Sequence, residues 1–499
     1  MKKWLTVFIM AIVLASVAGC GQGGKEPDKQ GSEGSSKEKM TINMMTVSYA
    51  GGGWPEDHPV IKEINKKMNI EFKVQWVPSD TYPQKLNVMA ASNEFPDVFF
   101  IQEAEFNKWR DKGIFMDVKP ELDKYPNLSV FPEDGMAIMN PKDKYYGFPY
   151  YVTDTRDTLA IRQDWLDKLK LNTPTTVEEF YEVAKAFATQ DPDDNGIADT
   201  SGFSFSVVNN KFSQIEPLMG AFGLANEWYE EDGQLIPMQV QAEELKAFAE
   251  YMNKAYREGV LDKDFMSNKL KDSVAKLEAG KTGIAMVVTN EFFNNTLPTL
   301  KKLTPDAELV QLFPPKGPTG IQATQTLLMT NKIVINNKLD AAKKQRILEL
   351  LDYLVSDEGY DLIKHGLEGV HYKKENDDKY VKLENFDKDR PQLLSTWFFR
   401  RFDPGIQIRK WDDQEYANNI KTIIANNEKY RLKNPAEGLA SETFNKKGAG
   451  LQQKWMETMS KVIVGQLPLT AVDDAVAAWK RDGGDEIIKE INEQYQLLK

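Results

Sequence analysis

Residues 40–102, MTINMMTVSYAGGGWPEDHPVIKEINKKMNIEFKVQWVPSDTYPQKLNVMAASNEFPDVFFIQ, decide the fold. MTINMMTVSY (40–49) is an apolar, β-branched run and reads as a buried strand. Gly51, Gly52, Gly53 and Pro55 break it. HPVIKEINKKMNI then carries Val60, Ile61, Ile64 and Met68 at helical spacing. EFKVQWV (71–77) alternates as a strand, YPQKLNVMAAS reads as a helix, and DVFFIQ (97–102) is a third strand. Strands alternating with helices imply a parallel sheet covered by helices. Ligands of such sheets bind beyond the carboxyl ends of the strands, so the loops after Tyr49, Val77 and Gln102 are the first places to look.

Before this stretch lies an address. MKKW is followed by LTVFIMAIVLASV, about thirteen apolar residues, in the range of a secretory segment and short for a membrane span. It ends in Val17-Ala18-Gly19-Cys20, which resembles a bacterial lipobox, and Cys20 is the only cysteine of the chain. The expectation is a signal peptide over 1–19, lipidation of Cys20 and anchoring through more than one acyl chain. GQGGKEPDKQGSEGSSKEK (21–39) has nothing to bury and reads as a disordered tether reaching roughly 25 Å.

After the first sheet the pattern turns helical. Trp165, Leu166 and Leu169 share a face. Thr176-Val-Glu-Glu179 is a capping box ahead of Val177, Phe180, Val183, Ala184 and Phe187. Amphipathic helices read at 242–257, 340–355 and 414–430, and two more split by Gly483-Gly484 close the chain. Of 499 residues, 75 are acidic and 63 are Lys or Arg, a net charge of −12, which argues against nucleic acid.

The chain resembles the family 1 extracellular solute-binding proteins of ABC importers, in the LipO-like branch of Gram-positive lipoproteins. The resemblance runs from about residue 40 to the end. It is carried by EFPDVFF (94–100), GIFMDV (113–118), KYYGFPYY (144–151), IRQDWLDKL (161–169), PTTVEEFYEVAKAFATQDPDDNGIADT (174–200), GKTGIAM (280–286), LFPPKGP (312–318), LDYLVSDEGYDL (351–362), HGLEGVHY (365–372) and GGDEI (483–487), in that order. It implies an α/β fold of two lobes, periplasmic-binding-protein-like and of type II. Mixed sheets are flanked by helices, and the ligand cleft lies between the lobes. The implied division is 40–150 with 286–335 in the N-terminal lobe, and 151–285 with 336–499 in the C-terminal lobe. It also implies a monomer on the outer face of the cytoplasmic membrane of a Gram-positive cell, serving the transmembrane subunits of an ABC permease.

In DPDDNGIADT, Asp191, Asp193, Asn195 and Asp199 take positions 1, 3, 5 and 9 of an EF-type calcium loop, Gly196 the turn, and Ile197 the backbone ligand. The closing Glu of the full motif is absent; Gly202 stands there. The family's shortened loop closes on an acidic residue directly after the last Asp, where this chain has Thr200. An Asx-turn is the alternative. Structural Ca²⁺ is the only cofactor expected.

Carbohydrate recognition needs aromatic faces and planar polar groups. Candidates are Trp54 after the first strand, and Tyr150, Tyr151, Asp154 and Arg156 where the chain crosses between lobes. Trp228 lies in ANEWYEEDG, and Trp397, Arg400 and Arg401 in WFFRRFD. Gln102 and Asn290 are polar candidates. The arginines suit uronic acids or serve as ion-pair partners. Trp109, Trp165, Trp455 and Trp479 sit on apolar helical faces and read as core. His371 in EGVHY reads as packing, although a metal or acid–base role beside Glu368 is conceivable. Three histidines (His58, His365, His371), with no G-x-S-x-G, H-E-x-x-H or P-loop, argue against an enzyme. The reading is a lipid-anchored oligosaccharide-binding importer component, the sugar acidic or not. The alternatives are a peptide-binding importer lipoprotein and a glycoside hydrolase working with two carboxylates.

Overall fold

Strand β1 (Met40–Ser48) lies between β2 (Ile70–Pro78) and β3 (Val98–Ile101), parallel to both, with Met40 opposite Ile70 and Met44 opposite Val98. Helix α1 (Pro59–Met68) makes the first crossover. His58 caps it by accepting from the Val60 amide, Pro59 opens it, and Asn69 ends it in the left-handed conformation. Helix α2 (Tyr82–Ser92) makes the second. The strand Leu327–Ile335 then runs antiparallel to β3, and β4 (Phe148–Asp154) closes the mixed five-stranded sheet. The computed structural model describes residues 38–48, 53–79, 81–130, 136, 140, 144–154, 157–208, 210–224, 226–325, 327–376, 379–395, 399, 401, 403, 405 and 408–497. Cys20 and most of the tether lie outside the described residues.

A second sheet has the order Leu309–Leu312, β5 (Asp157–Arg162), Thr282–Val288, β6 (Ser201–Phe203). Each sheet has its own apolar core. The helix Val177–Thr189 packs on the second, entered through the expected capping box, with the Glu179 amide donating to Thr176 Oγ1 at 3.2 Å. At the far end Gly483, at φ 153°, kinks the chain between Ala471–Trp479 and Asp485–Gln496. The fold is thus α/β with mixed sheets and two lobes.

The cores correct the expected boundaries. Thr282–Val288 and Leu309–Leu312 belong to the second sheet, so of 286–335 only the strand from Leu327 joins the first. Conversely, the helices Ala341–Val355 and Asp357–His365 cover the first core with Ile347, Leu351, Leu354 and Ile363. A helix that follows a strand by a short connection packs back on the same sheet, which keeps these two beside Leu327–Ile335. The strand ending at Asp154 belongs to the first sheet and the next, from Asp157, to the second; Leu309–Leu312 is again in the second and Leu327–Ile335 in the first. The chain meets the second sheet once more in the helix Gln414–Glu428, whose Asn427 accepts from Gln311 at 2.8 Å and from Thr158 at 3.3 Å on that sheet.

Candidate functional site

Beyond the carboxyl end of β3 the chain turns directly into helix α3 (Glu103–Trp109), with Gln102 at its cap. Glu103, Ala104 and Asn107 form one wall of a cavity of about 440 Å³. The opposite wall comes from elements of the second core. The hairpin Trp228–Glu231 and Gln234–Pro237 gives Trp228 and Pro237, and the turn before it gives Asn226 and Glu227. The 434–441 loop gives Asn434 and Glu437, the helix Glu442–Ile463 gives Phe444, Asn445 and Gln452, and Trp479 ends the helix behind them. Two consecutive non-glycine residues, Asn226 at φ 57° and Glu227 at φ 66°, hold the left-handed conformation here. Such strain costs on the order of 1 kcal/mol each and gathers at ligand clamps. It aims Trp228, whose amide donates to the Asn226 carbonyl at 2.7 Å. One side of the Trp228 indole packs on the second core, and the residue stays partly exposed.

Polar groups of the wall fall into two kinds. Gln239 donates to Gln452 at 3.1 Å, Gln452 donates to the Asn210 carbonyl at 2.9 Å, and Lys211 is ion-paired with Glu227. Asn226 is different: it is 4% exposed, and neither amide atom has a hydrogen-bond partner. Glu437 resembles it, with Oε2 buried and unbonded. Burial, then the charge of Glu103, pushes the Glu437 carboxyl up to about 8, so it is protonated at neutral pH. A pocket of indole, phenyl and carboxamide groups can stack on a ring and exchange hydrogen bonds with hydroxyls.

The model for bacterial extracellular solute-binding proteins matches residues 56–361. The chain belongs to the bacterial extracellular solute-binding protein family. It is 30% identical to lipoprotein LipO of Bacillus subtilis over 100% of this chain and 99% of that one. It is 28% identical to the polygalacturonan/rhamnogalacturonan-binding protein YtcQ of the same organism, over the full length of both. Among solved structures it is similar to an HMO-binding, ABC-transporter-associated solute-binding protein of Bifidobacterium longum infantis. That likeness has a TM-score of 0.75 at 19% identity, covering 92% of this chain and 99% of the other.

In this solute-binding protein the expected ligand residues scatter. Trp228 lines the cavity, and Gln102 caps the helix that forms its wall. Trp54 does not: it is 2% exposed, in the first core, stacked on His58 at 4.6 Å. Tyr150 is equally buried, edge-on to Phe100 at 4.8 Å. An aromatic at a strand end fills a core as readily as it lines a cleft, and here the core takes both. Arg401 bonds Asp357 at 2.6 Å and lies 4.7 Å from the Tyr360 ring, the structural ion-pair alternative. Tyr151 and Asp154 are on β4, and Asn290 is in the short helix Thr289–Glu291, which follows the second-sheet strand Thr282–Val288 and touches the helix Gln414–Glu428. Their side chains, like Arg156, Trp397 and Arg400, lie outside the described residues. Trp479, read as core, is 6% exposed and both packs and lines the cavity. Asn226 and Glu437 carry no sequence signal of their own; an acid in a turn after Pro435 looks like any solvated turn.

The acidic bend folds into a tight loop. Asp191, at φ 46°, accepts from the Asn195 and Gly196 amides at 3.1 and 3.0 Å, with Gly196 at φ 75°. The Asn195 carboxamide donates to Asp193 at 2.8 Å and to Asp199 at 3.2 Å, so two acidic side chains converge on it while Asp191 holds its backbone amide. Asp193 Oδ1 is buried without a partner; burial and the adjoining Asp191 carboxyl hold Asp193 above the usual range. Carboxylate and carboxamide oxygens are the donor type that a hard cation takes. Lys281 pairs with Asp199, and the Thr200 hydroxyl donates to the Phe187 carbonyl at 2.7 Å. Thr200 thus ties the loop to the preceding helix in place of the acidic ligand.

His58, His371 and Asp389 form the one group among the described residues with metal-binding spacing. Their hydrogen bonds give another account. His58 Nδ1 accepts from the Val60 amide at 3.3 Å, and His371 Nδ1 from the Leu367 amide at 2.9 Å. Both protons therefore sit on Nε2, and both donate to Asp389 Oδ2, at 3.3 and 3.1 Å. A metal-binding imidazole donates its second nitrogen, so this arrangement clips the first loop to the helix Glu384–Ser395 and suits packing. Burial lowers His58 and takes His365 to about 4. Proton NMR should find His365 titrating near pH 4 and His58 below pH 6.5; a midpoint above 6.5 for either contradicts the burial argument.

Proposed function

We propose that this protein is a lipid-anchored receptor on the outer face of the cytoplasmic membrane that captures an oligosaccharide and passes it unaltered to an ABC permease. The observation that carries the reading is the cavity joining α3 to the second core, walled by Trp228, Phe444 and Trp479 with carboxamides between them. Indoles stack on the C–H faces of sugar rings, and carboxamides match hydroxyl pairs. The named specificities of the relatives support the same ligand class. Closure around the ring excludes water, and the ligand shifts the population toward the closed form by its preference for it. Isothermal titration with oligosaccharide and peptide panels tests this. Saccharide binding with the sugar recovered intact is expected; peptide binding alone, or new reducing ends, overturns it.

Calcium in the 191–200 loop completes the reading as a structural ion. Asp191, Asp193, Asn195 and Asp199 would hold it, with the Ile197 carbonyl. It would neutralise three converging carboxylates and brace the helix Val177–Thr189 against β6. At millimolar calcium and a weak extracellular-type site the gain is about 1–2 kcal/mol. Removing calcium with EDTA should lower Tm by roughly 1–3 °C. Asp193→Asn should abolish that difference, and an unchanged Tm in EDTA leaves the loop a plain Asx-turn.

A further inference from the structure

Of the aromatic rings that wall the cavity, Trp228 rests on the second core and Trp479 is buried, whereas Phe444 is 52% exposed. Phe444 stands in the first turn of the helix Glu442–Ile463, and that turn is fixed. Ser441 caps it, with Oγ accepting from the Phe444 amide at 2.8 Å. Glu490 accepts from the Thr443 amide at 3.0 Å and from the Thr443 hydroxyl at 2.8 Å. The ring itself is seated one turn further on. Gly448 is buried, and a Cβ there would fall 2.7, 2.8 and 2.9 Å from Cδ2, Cε2 and Cγ of Phe444. Carbon atoms pack at about 3.5–4.0 Å, so the ring occupies the place of a side chain at 448.

Glycine is a poor residue for a helix interior and alanine the best, so this glycine calls for a reason. Gly484 makes room for Trp479 in the same way, but Trp479 is buried and its packing builds the fold. Phe444 has half its surface outside, and the fold gains little from seating it. A ligand gains more. A mobile exposed ring must be ordered when a sugar stacks on it, and that ordering subtracts from affinity; a ring already laid on a helix avoids the loss. We infer that Gly448 is a positioning residue for ligand binding, letting the Phe444 ring lie against the helix with its outer face open to the cavity as a second stacking platform in addition to Trp228. The inference rests on the saccharide reading above. An alanine methyl at 448 takes the ring's place and drives it off the helix, which leaves a mobile ring where a fixed face stood.

The full chain at pH 7 is titrated by calorimetry with the tightest binder among oligogalacturonides, xylo-oligosaccharides and manno-oligosaccharides, and melted in parallel. Gly448→Ala should bind roughly tenfold more weakly. Its Tm should equal or exceed that of wild type, because the displaced ring is exposed and alanine favours the helix. Gly450→Ala is the control: the same exchange in the same helix, at a position with nothing among the described residues within 4 Å of the added Cβ. It should keep its Tm and hold affinity within about twofold. Phe444→Ala should lose about tenfold or more, and adding Gly448→Ala to it should change affinity by less than about twofold, since no ring remains to displace. Full affinity or a lowered Tm in Gly448→Ala, an equal loss in Gly450→Ala, or a further loss in the double variant overturns the inference while the saccharide reading stands. Wild type that binds none of the three sugar classes removes both.

Discussion

Asp164→Ala should destabilise the second core by about 3–5 kcal/mol in urea unfolding, far more than a surface acid would. Arg162 ends β5 with its side chain 1% exposed. Its Nε donates to Asp164 Oδ1 at 2.8 Å and its Nη2 to Oδ2 at 2.6 Å, a bidentate pair, and its guanidinium lies 4.3 Å from the Trp165 ring. Nη1 has no hydrogen-bond partner, so Asp164 is the carboxylate paired with this charge. Truncating Asp164 leaves a guanidinium buried without a counter-ion and also frees the Glu308 amide, which donates to Oδ1 at 3.3 Å. The cost arises from the stranded charge, because the pair itself is worth little over a well-packed apolar replacement. The double variant Arg162→Met, Asp164→Ala should therefore be more stable than Asp164→Ala alone. If the two are equally unstable, the loss belongs to the Glu308 contact, and a cost below about 1 kcal/mol for Asp164→Ala refutes the account.

The first sheet was legible because each of its early strands is bounded by turn residues and joined to the next by an amphipathic helix. Met40–Ser48, Ile70–Pro78 and Val98–Ile101 fall within a residue or two of the expected bounds. The second sheet was not. Its strands start at 157, 201, 282 and 309, and β6 has three residues. Their pairing depends on partners about a hundred residues away, which no local period records. The lobe division failed for the same reason. The apolar stripe of Ala341–Val355 says that the helix is covered, without saying by which sheet.

The site divides along a similar line. Trp228 could be found because an aromatic in a loop of acidic and small residues has no helical face to fill. His58 hid the fate of Trp54: the imidazole that caps α1 also stacks on the indole, a pairing made in space across the Pro55 turn. Asn226 and Glu437 are set apart by burial without a partner, and that property belongs to neighbours drawn from α3, the hairpin and the 434–441 loop.

Trp228→Ala should weaken oligosaccharide binding by roughly 30–100-fold, equivalent to about 2–3 kcal/mol, while Tm falls by little. The indole is prepared for its task before any ligand arrives. Its backbone is paired with Pro237 in the hairpin, its neighbours Asn226 and Glu227 are locked in the left-handed region, and one side of the ring rests on the second core. Binding therefore orders little that is not already ordered, and most of the stacking energy is available for affinity. Because the residue is partly exposed, removing it opens no closed cavity, and the hairpin pairing runs through the backbone. Trp479 offers the contrast. At 6% exposure, with its ring against Gly484 where even a Cβ would come within 2.1 Å, Trp479→Ala should unfold the neighbouring helices before it informs on the ligand. Trp228→Phe should recover part of the affinity through the smaller ring. Calorimetry at pH 7 on wild type and the Trp228 variants decides it: affinity within threefold of wild type for Trp228→Ala would take ring stacking at this wall out of the mechanism.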